Sequence, residues 1–183
     1  MLDQAAQSAL LRLARQAIAQ VVGTSREPPV EISLEEPAAG AFVSLYVDEQ
    51  LRGCIGQYCT GPTGLIEAVR RAAALAAHDT RFPPLSAAEF AALSLEISVL
   101  SELRPAGPEA IRLGEHGVRV SRGEAAGLLL PQVAPRNGWT INKTLAVACR
   151  KAGLPPQAWK TPDTIIEVFT AQVFSESDHR RDD

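Results

Sequence analysis

The chain has 183 residues, 46% of them hydrophobic, and a formal net charge of −3. That length fits one domain of about 100–200 residues and is enough to bury a core without disulfides or metal. The acidic balance argues against a broad nucleic-acid surface, and no apolar run reaches the ~18–20 residues that span a bilayer. Three cysteines fit reduced thiols in a cytoplasm better than a disulfide scaffold.

Residues 3–22 read as an amphipathic helix rather than a signal peptide: Arg12 and Arg15 interrupt the apolar stretch. Leu10, Leu13, Ala14, Ala17, Ile18 and Val21 form its stripe, and Gly23 suits the C-terminal cap. The Pro- and Glu-rich stretch 24–40 reads as a surface connection with room for a short strand. AFVSLYV (41–47) and LRGCIGQ (51–57) then read as a hairpin joined by Asp48, Glu49 and Gln50. A second helix over 65–78 places Leu65, Ile66, Val69, Ala73 and Ala76 on one side and breaks before Pro83 and Pro84. Ser86 and Glu89 form a capping box, with Leu85 and Phe90 as its hydrophobic staple. In LSLEISVL (93–100), Leu93, Leu95, Ile97 and Val99 alternate with Ser94, Glu96 and Ser98, the clearest strand pattern in the chain.

After Pro105, the segments IRL, VRV and AAGLLLP read as a meander of short antiparallel strands, with 131–138 as a loop. Thr140 or Asn142 caps a helix that runs to Lys151 and stops at Gly153. TIIEVFTAQVF reads as one long strand, and residues 177–183 as a disordered tail. Helices and hairpins in this order, without regular βαβ alternation, predict an α+β fold: a mainly antiparallel sheet with flanking helices.

The unusual stretch is LRGCIG, 51–56. On a regular strand, Arg52, Cys54 and Gly56 share one face. Gly53 and Gly56 weaken a strand, so they need a reason: close approach of a backbone or ligand, or a β-bulge. Arg52 beside Cys54 would favour the thiolate as nucleophile or ligand, if the side chains meet. The ordinary reading is a small buried cysteine and a surface arginine. Cys59 makes a C-x4-C spacing, a poor zinc framework and no C-x-x-C motif, and Cys149 reads as core. His78, Asp79 and Arg81 follow the second helix, either as a dipole-favoured histidine with a surface ion pair or as polar groups lining a pocket. Glu96 is either solvated or, beside LRGCIG, a partner for Arg52 or a base. His116 lies in a Gly-flanked turn, and Trp139 and Trp159 read as core cover. No metal-hydrolase, P-loop, dinucleotide or nucleophile-elbow motif is present, so no cofactor or metal is expected.

Taken together, LRGCIG at 51–56, DTRF at 79–82 with the Ser86 cap and LSLEISVL, EHGV at 115–118, LLLPQVA at 128–134, GW at 138–139 and KAGL at 151–154 resemble the successive blocks of the AMMECR domain family. The resemblance spans residues 5–176 and implies a single domain over 1–176. It further implies two unequal lobes, a large one from both chain ends and a smaller insertion, with LRGCIG near a cleft between them. Relatives are grouped with a Memo-like protein and a radical SAM enzyme, the AmmeMemoRadiSam system, so those two are the expected partners. Arg52, Gly53, Cys54 and Gly56 carry over as signature residues, with Asp79, Arg81 and Glu96 near them. The expectation is Cys54 as nucleophile, Arg52 steadying the thiolate or binding a small anionic substrate, and Glu96 or Asp79 as acid or base. Gly53, Gly56, His78, Arg81 and His116 are the expected binding positions. The alternative is a non-catalytic module that presents the cleft to a protein partner.

Overall fold

The computed structural model describes residues 1–25, 28, 32–34, 36–59 and 64–179. Its helices are α1 (Gln4–Val21), α2 (Gly64–Ala76), α3 (Ala87–Ala91), α4 (Val133–Arg136), α5 (Ile141–Lys151) and α6 (Glu176–His179). The strands are β1 (Gly40–Val47), β2 (Gln50–Tyr58), β3 (Leu93–Leu100), β4 (Arg104–Pro105), β5 (Gly117–Arg122), β6 (Ala125–Leu129), β7 (Ile165–Phe169) and β8 (Ala171–Ser175). They form two four-stranded sheets, ordered β2-β1-β3-β8 and β4-β7-β5-β6, so the α+β architecture is built on two antiparallel sheets. By contacts the chain divides into two units, one from Met1–Leu100 plus the segment from Gln172 onward, the other Ser101–Ala171.

In the first unit, alternation decides which face of the sheet is core. Ala41, Val43 and Leu45 of β1 and Leu93, Leu95, Ile97 and Val99 of β3 pack against α1 and α2. From α1 come Leu10, Leu13, Ala14, Ala17 and Ile18, the stripe read from the sequence. Each fully buried leucine contributes about 1.5–3 kcal/mol. Asp3 caps α1 by accepting the Ala6 N–H at 2.8 Å, and Gly23 takes the positive φ (76°) that ends it.

The β1–β2 hairpin turns on two residues, not three. Asp48 and Glu49 both have positive φ (50° and 63°), the geometry that matches strand twist, so Gln50 already pairs with Val47. The register slips once: Leu45 faces Gly53 but Tyr46 faces Leu51, which leaves Arg52 as an extra, bulged residue. Gly53 has its own reason, because a Cβ there would lie 2.2 Å from the Ala76 carbonyl oxygen. The end of α2 therefore rests directly on β2.

The second unit packs α5 on its sheet around Val118, Val120, Leu145, Ala148, Cys149 and Ile166, with Trp139 and Trp159 against that core. Thr140 is the cap of α5, accepting the Lys143 N–H, and Gly153 (φ 73°) ends the helix region.

Further sequence expectations need correction. IRL is no strand: Ile111 enters the core, and the Arg112 N–H bonds the His116 ring, closing a turn. β5 pairs instead with β6 and β7. TIIEVFTAQVF is two strands in different sheets, interrupted at Thr170, whose N–H and C=O both bond Ser101. The 131–138 loop holds the short helix α4. Residues 176–179 are helical rather than disordered because Glu176 is fixed by Arg15, and 180–183 lie outside the described residues. Among the described residues of 24–39 there is no strand, and the rest of that stretch falls outside them.

Gly53→Ala should lower the denaturation midpoint by an amount worth about 1–3 kcal/mol, because backbone meets backbone there. Gly56→Ala should cost less. The atoms a Cβ would meet there, at 2.5 Å, belong to the Phe42 ring, a side chain that can rotate away. Equal losses in urea titrations would contradict the α2–β2 contact.

Candidate active site around Cys54

Cys54 sits on the edge strand β2, half-buried, directly opposite Ser44 on β1, which is itself opposite Glu96 on β3. Residues facing each other across strands share a sheet face, so thiol, hydroxyl and carboxylate form one row on the face away from Val43 and Leu45. Ser44 Oγ lies 3.3 Å from Cys54 Sγ. Glu96 is thus not beside LRGCIG, as the sequence allowed, but one strand further on.

An edge residue has main-chain groups without a strand to bond. At Cys54 two side chains replace it. Its N–H donates to Asp79 Oδ2 at 3.0 Å, and its C=O accepts from Arg81 Nη2 at 2.9 Å. The two side chains also grip each other, Arg81 Nη2 to Asp79 Oδ2 at 2.6 Å and Nε to Oδ1 at 3.0 Å. Asp79 is the buried member, its side chain 3% exposed against 59% for Arg81. The Arg81 guanidinium holds the Asp79 carboxyl well below the usual carboxylate range. Burial opposes this, and the Cys54 and Arg81 N–H groups reinforce it. The charge of Arg81 is also within electrostatic reach of the Cys54 sulfur.

Arg52 does not do what the strand alternation suggested. The bulge removes it from the row, and its guanidinium is taken by Glu89, Nε to Oε1 at 2.7 Å, and by the Pro83 carbonyl at 2.7 Å. Glu89 is also the capping-box carboxylate, accepting the Ser86 N–H at 2.9 Å. Arg52 first, then the Ser86 main chain and hydroxyl, hold Glu89 down at about 2. The guanidinium nearest Cys54 in function is therefore that of Arg81. Glu89 and Ser44 escaped sequence reasoning. The S-x-x-E spacing around Ser86 named Glu89 only as a helix cap, and nothing in a single strand shows which residue lies across it.

Of the remaining expectations, Gly56 has the Phe42 ring over it and Gly53 the end of α2. His78 is exposed after α2, and its ring makes no hydrogen bond to Cys54 among the described residues. His116 belongs to the other unit, where its Nδ1 accepts the Arg112 N–H at 3.2 Å. Cys59 lies five residues along from Cys54, about 16 Å at ~3.3 Å per residue, too far for a disulfide. Burial pushes its thiol up. Among the described residues no three His, Cys, Asp or Glu side chains gather as metal ligands, and no helix is long and apolar enough to cross a membrane.

Asp79 and Glu89 both have depressed folded-state values, so each stabilises the fold above its unfolded value of about 4. That contribution disappears as pH falls, for Glu89 between about 4 and about 2. Asp79→Asn should cost about 1.5–3 kcal/mol near pH 7. The gap to wild type should narrow as pH drops below about 4, where the wild-type carboxylate begins to lose its advantage. A gap independent of pH in acid denaturation curves would contradict the Asp79–Arg81 pairing.

Comparison with known proteins agrees with the block order. The profile described as AMMECR1 matches residues 11–174. Protein MK0488 of Methanopyrus kandleri is 42% identical over 184 aligned residues, covering 92% of this chain and 87% of the relative. Protein TK0174 of Thermococcus kodakarensis is 42% identical over 91% of this chain and 88% of its own. The crystal structure of the uncharacterized protein PH0010 from Pyrococcus horikoshii superposes with a TM-score of 0.78 at 40% identity, covering 91% of this chain and 89% of that one. A match that takes in both sheets and every signature block leaves one conclusion: the chain belongs to the AMMECR1 family.

Proposed function

We propose that the protein is a thiol-dependent enzyme, or a component of one, in which Cys54 is the nucleophile or covalent attachment point. The observation that carries this reading is the placement of the sulfur of a partly buried cysteine 3.3 Å from the hydroxyl of the buried Ser44, on a strand whose main chain is pinned by an ion pair. A nucleophile gains from being held in one geometry before the substrate arrives. Asp79 positions Cys54 through its N–H. Arg81 carries the positive charge assigned to Arg52 from the sequence, and an anionic group on the substrate would meet Arg81. Glu96, one strand beyond Ser44, would act as acid or base on a bound molecule rather than on the sulfur. A Memo-like protein and a radical SAM enzyme are the partners this reading expects, and a cytoplasmic location goes with a free thiol.

A second reading is favoured by one observation. Two charged groups at Cys54, Asp79 and Arg81, are already bonded to its main chain. On that reading the segment is a rigid surface shown to a protein partner, and Cys54 is a small filler.

Alkylation separates the two. Treated with iodoacetamide near pH 7, native Cys54 should react several-fold faster than Cys149 of the unfolded chain, read residue by residue by mass spectrometry. A native rate no higher than that of the unfolded cysteine would sink the thiol reading and leave the binding module.

A further inference from the structure

Among the described residues, the β6 edge of the second sheet is left open. The order β4-β7-β5-β6 puts β4 and β6 outermost. β4 is two residues long and ends in Pro105, and the edge of the first sheet at β2 is held by Asp79 and Arg81. β6 has neither device. It runs Ala125, Ala126, Gly127, Leu128, Leu129, without charge or proline. Only β5 and α5 pack extensively against it among the described elements. Folded chains commonly guard such an edge with lysine, proline or a bulge, because its main chain can pair with another strand.

The turn before β6 fixes which of its residues are free. Arg122 pairs with Ala125 across Gly123 and Glu124, and Gly123 has positive φ (56°), so the loop has two residues. The pair flanking such a loop exchanges hydrogen bonds, and bonded pairs then alternate along the ladder. Ala125, Gly127 and Leu129 therefore bond β5, while Ala126 and Leu128 turn N–H and C=O outward. Neither of these two bonds any other main chain among the described residues, and Ala126 is exposed. α5 lies over one face of β6, where a Cβ at Gly127 would sit 2.2 Å from the Ala148 carbonyl oxygen, and does not bond the edge.

We infer that β6 pairs antiparallel with β6 of a second copy of this chain, about a two-fold axis at Gly127, joining two four-stranded sheets into one. The strand is its own complement. Ala126 of each copy faces Leu128 of the other, so the outward residues exchange four main-chain hydrogen bonds. Gly127 faces Gly127, and Ala125 faces Leu129, so each large side chain meets a small one and no charges meet. Centring the pairing on Ala126 or Leu128 instead would let only one outward residue per strand find its counterpart within β6. A foreign strand could bond the same groups, but a second copy brings the matching order of small and large residues with it. A five-residue seam falls short of the roughly 800 Å² per partner of a stable complex, so the association is weak and depends on concentration.

Sedimentation equilibrium of the full chain should show monomer and dimer exchanging between about 10 μM and 1 mM. Ala126→Pro removes an outward N–H that β5 does not use, at a place where an edge strand tolerates proline, and should weaken dimerisation about tenfold or more. Ala126→Ser, which keeps that N–H, should dimerise as the wild type does. In the wild type, the Ala126 and Leu128 amides should gain protection from hydrogen exchange as concentration rises, while the Gly127 amide, already bonded to β5, keeps the protection it has. That measurement needs no variant and decides the matter if the proline chain folds poorly: no gain at Ala126 and Leu128 overturns the inference. So does a dimer that stays as tight in Ala126→Pro with native circular dichroism. A chain still monomeric at about 1 mM overturns it too, and leaves the edge to an extended segment of another protein.

Discussion

The outer edge of β2 at Cys54 has to be satisfied by something other than a strand. A main-chain N–H or C=O left without a partner away from water costs about 1–3 kcal/mol, and an open edge invites pairing with other chains. Asp79 and Arg81 meet both needs at one residue, the carboxylate taking the N–H and the guanidinium the C=O. Because the two side chains also bond each other, neither is lost alone. The loop after α2 is thereby tied to LRGCIG, and the position of the sulfur follows from that tie.

The same device recurs elsewhere in the first unit. Arg15 donates to the Leu93 carbonyl at 2.7 Å while its partner Glu176 accepts the Leu95 N–H at 3.2 Å, closing β3 where β8 runs out. The Gln172 amide accepts the Leu2 N–H and donates to the Leu2 C=O, both at 2.9 Å. At Cys54 the device has a consequence for chemistry. It holds the partly buried Cys54 with its side chain against the Ser44 hydroxyl, and on the proposed reading that fixed geometry is what a nucleophile gains from.

What a single sequence reveals here follows from how local each feature is. The stripe of α1, the alternation in Leu93–Val99 and the Ser86–Glu89 box are local patterns, and each appears in the structure as read. The block order named the family as well. The move between sheets at Thr170 was hidden because alternation along β7 and β8 looks the same whichever sheet receives it. Arg52 misled because one bulged residue breaks the two-residue period on which its face was judged. The Asp79 bond to Cys54 spans 25 residues, and Ser44 reaches the sulfur only through strand register. Side chains that bond main chain across such distances leave no periodic trace.

Amide hydrogen exchange at Cys54 tests the central claim most directly. If Asp79 and Arg81 stand in for a strand, the Cys54 N–H should be protected to nearly the degree of the Val43 and Leu45 amides in the middle of the sheet, despite lying on its edge. Exchange at the rate of an unstructured chain would show that nothing holds that edge, and the fixed sulfur, with the chemistry built on it, would go.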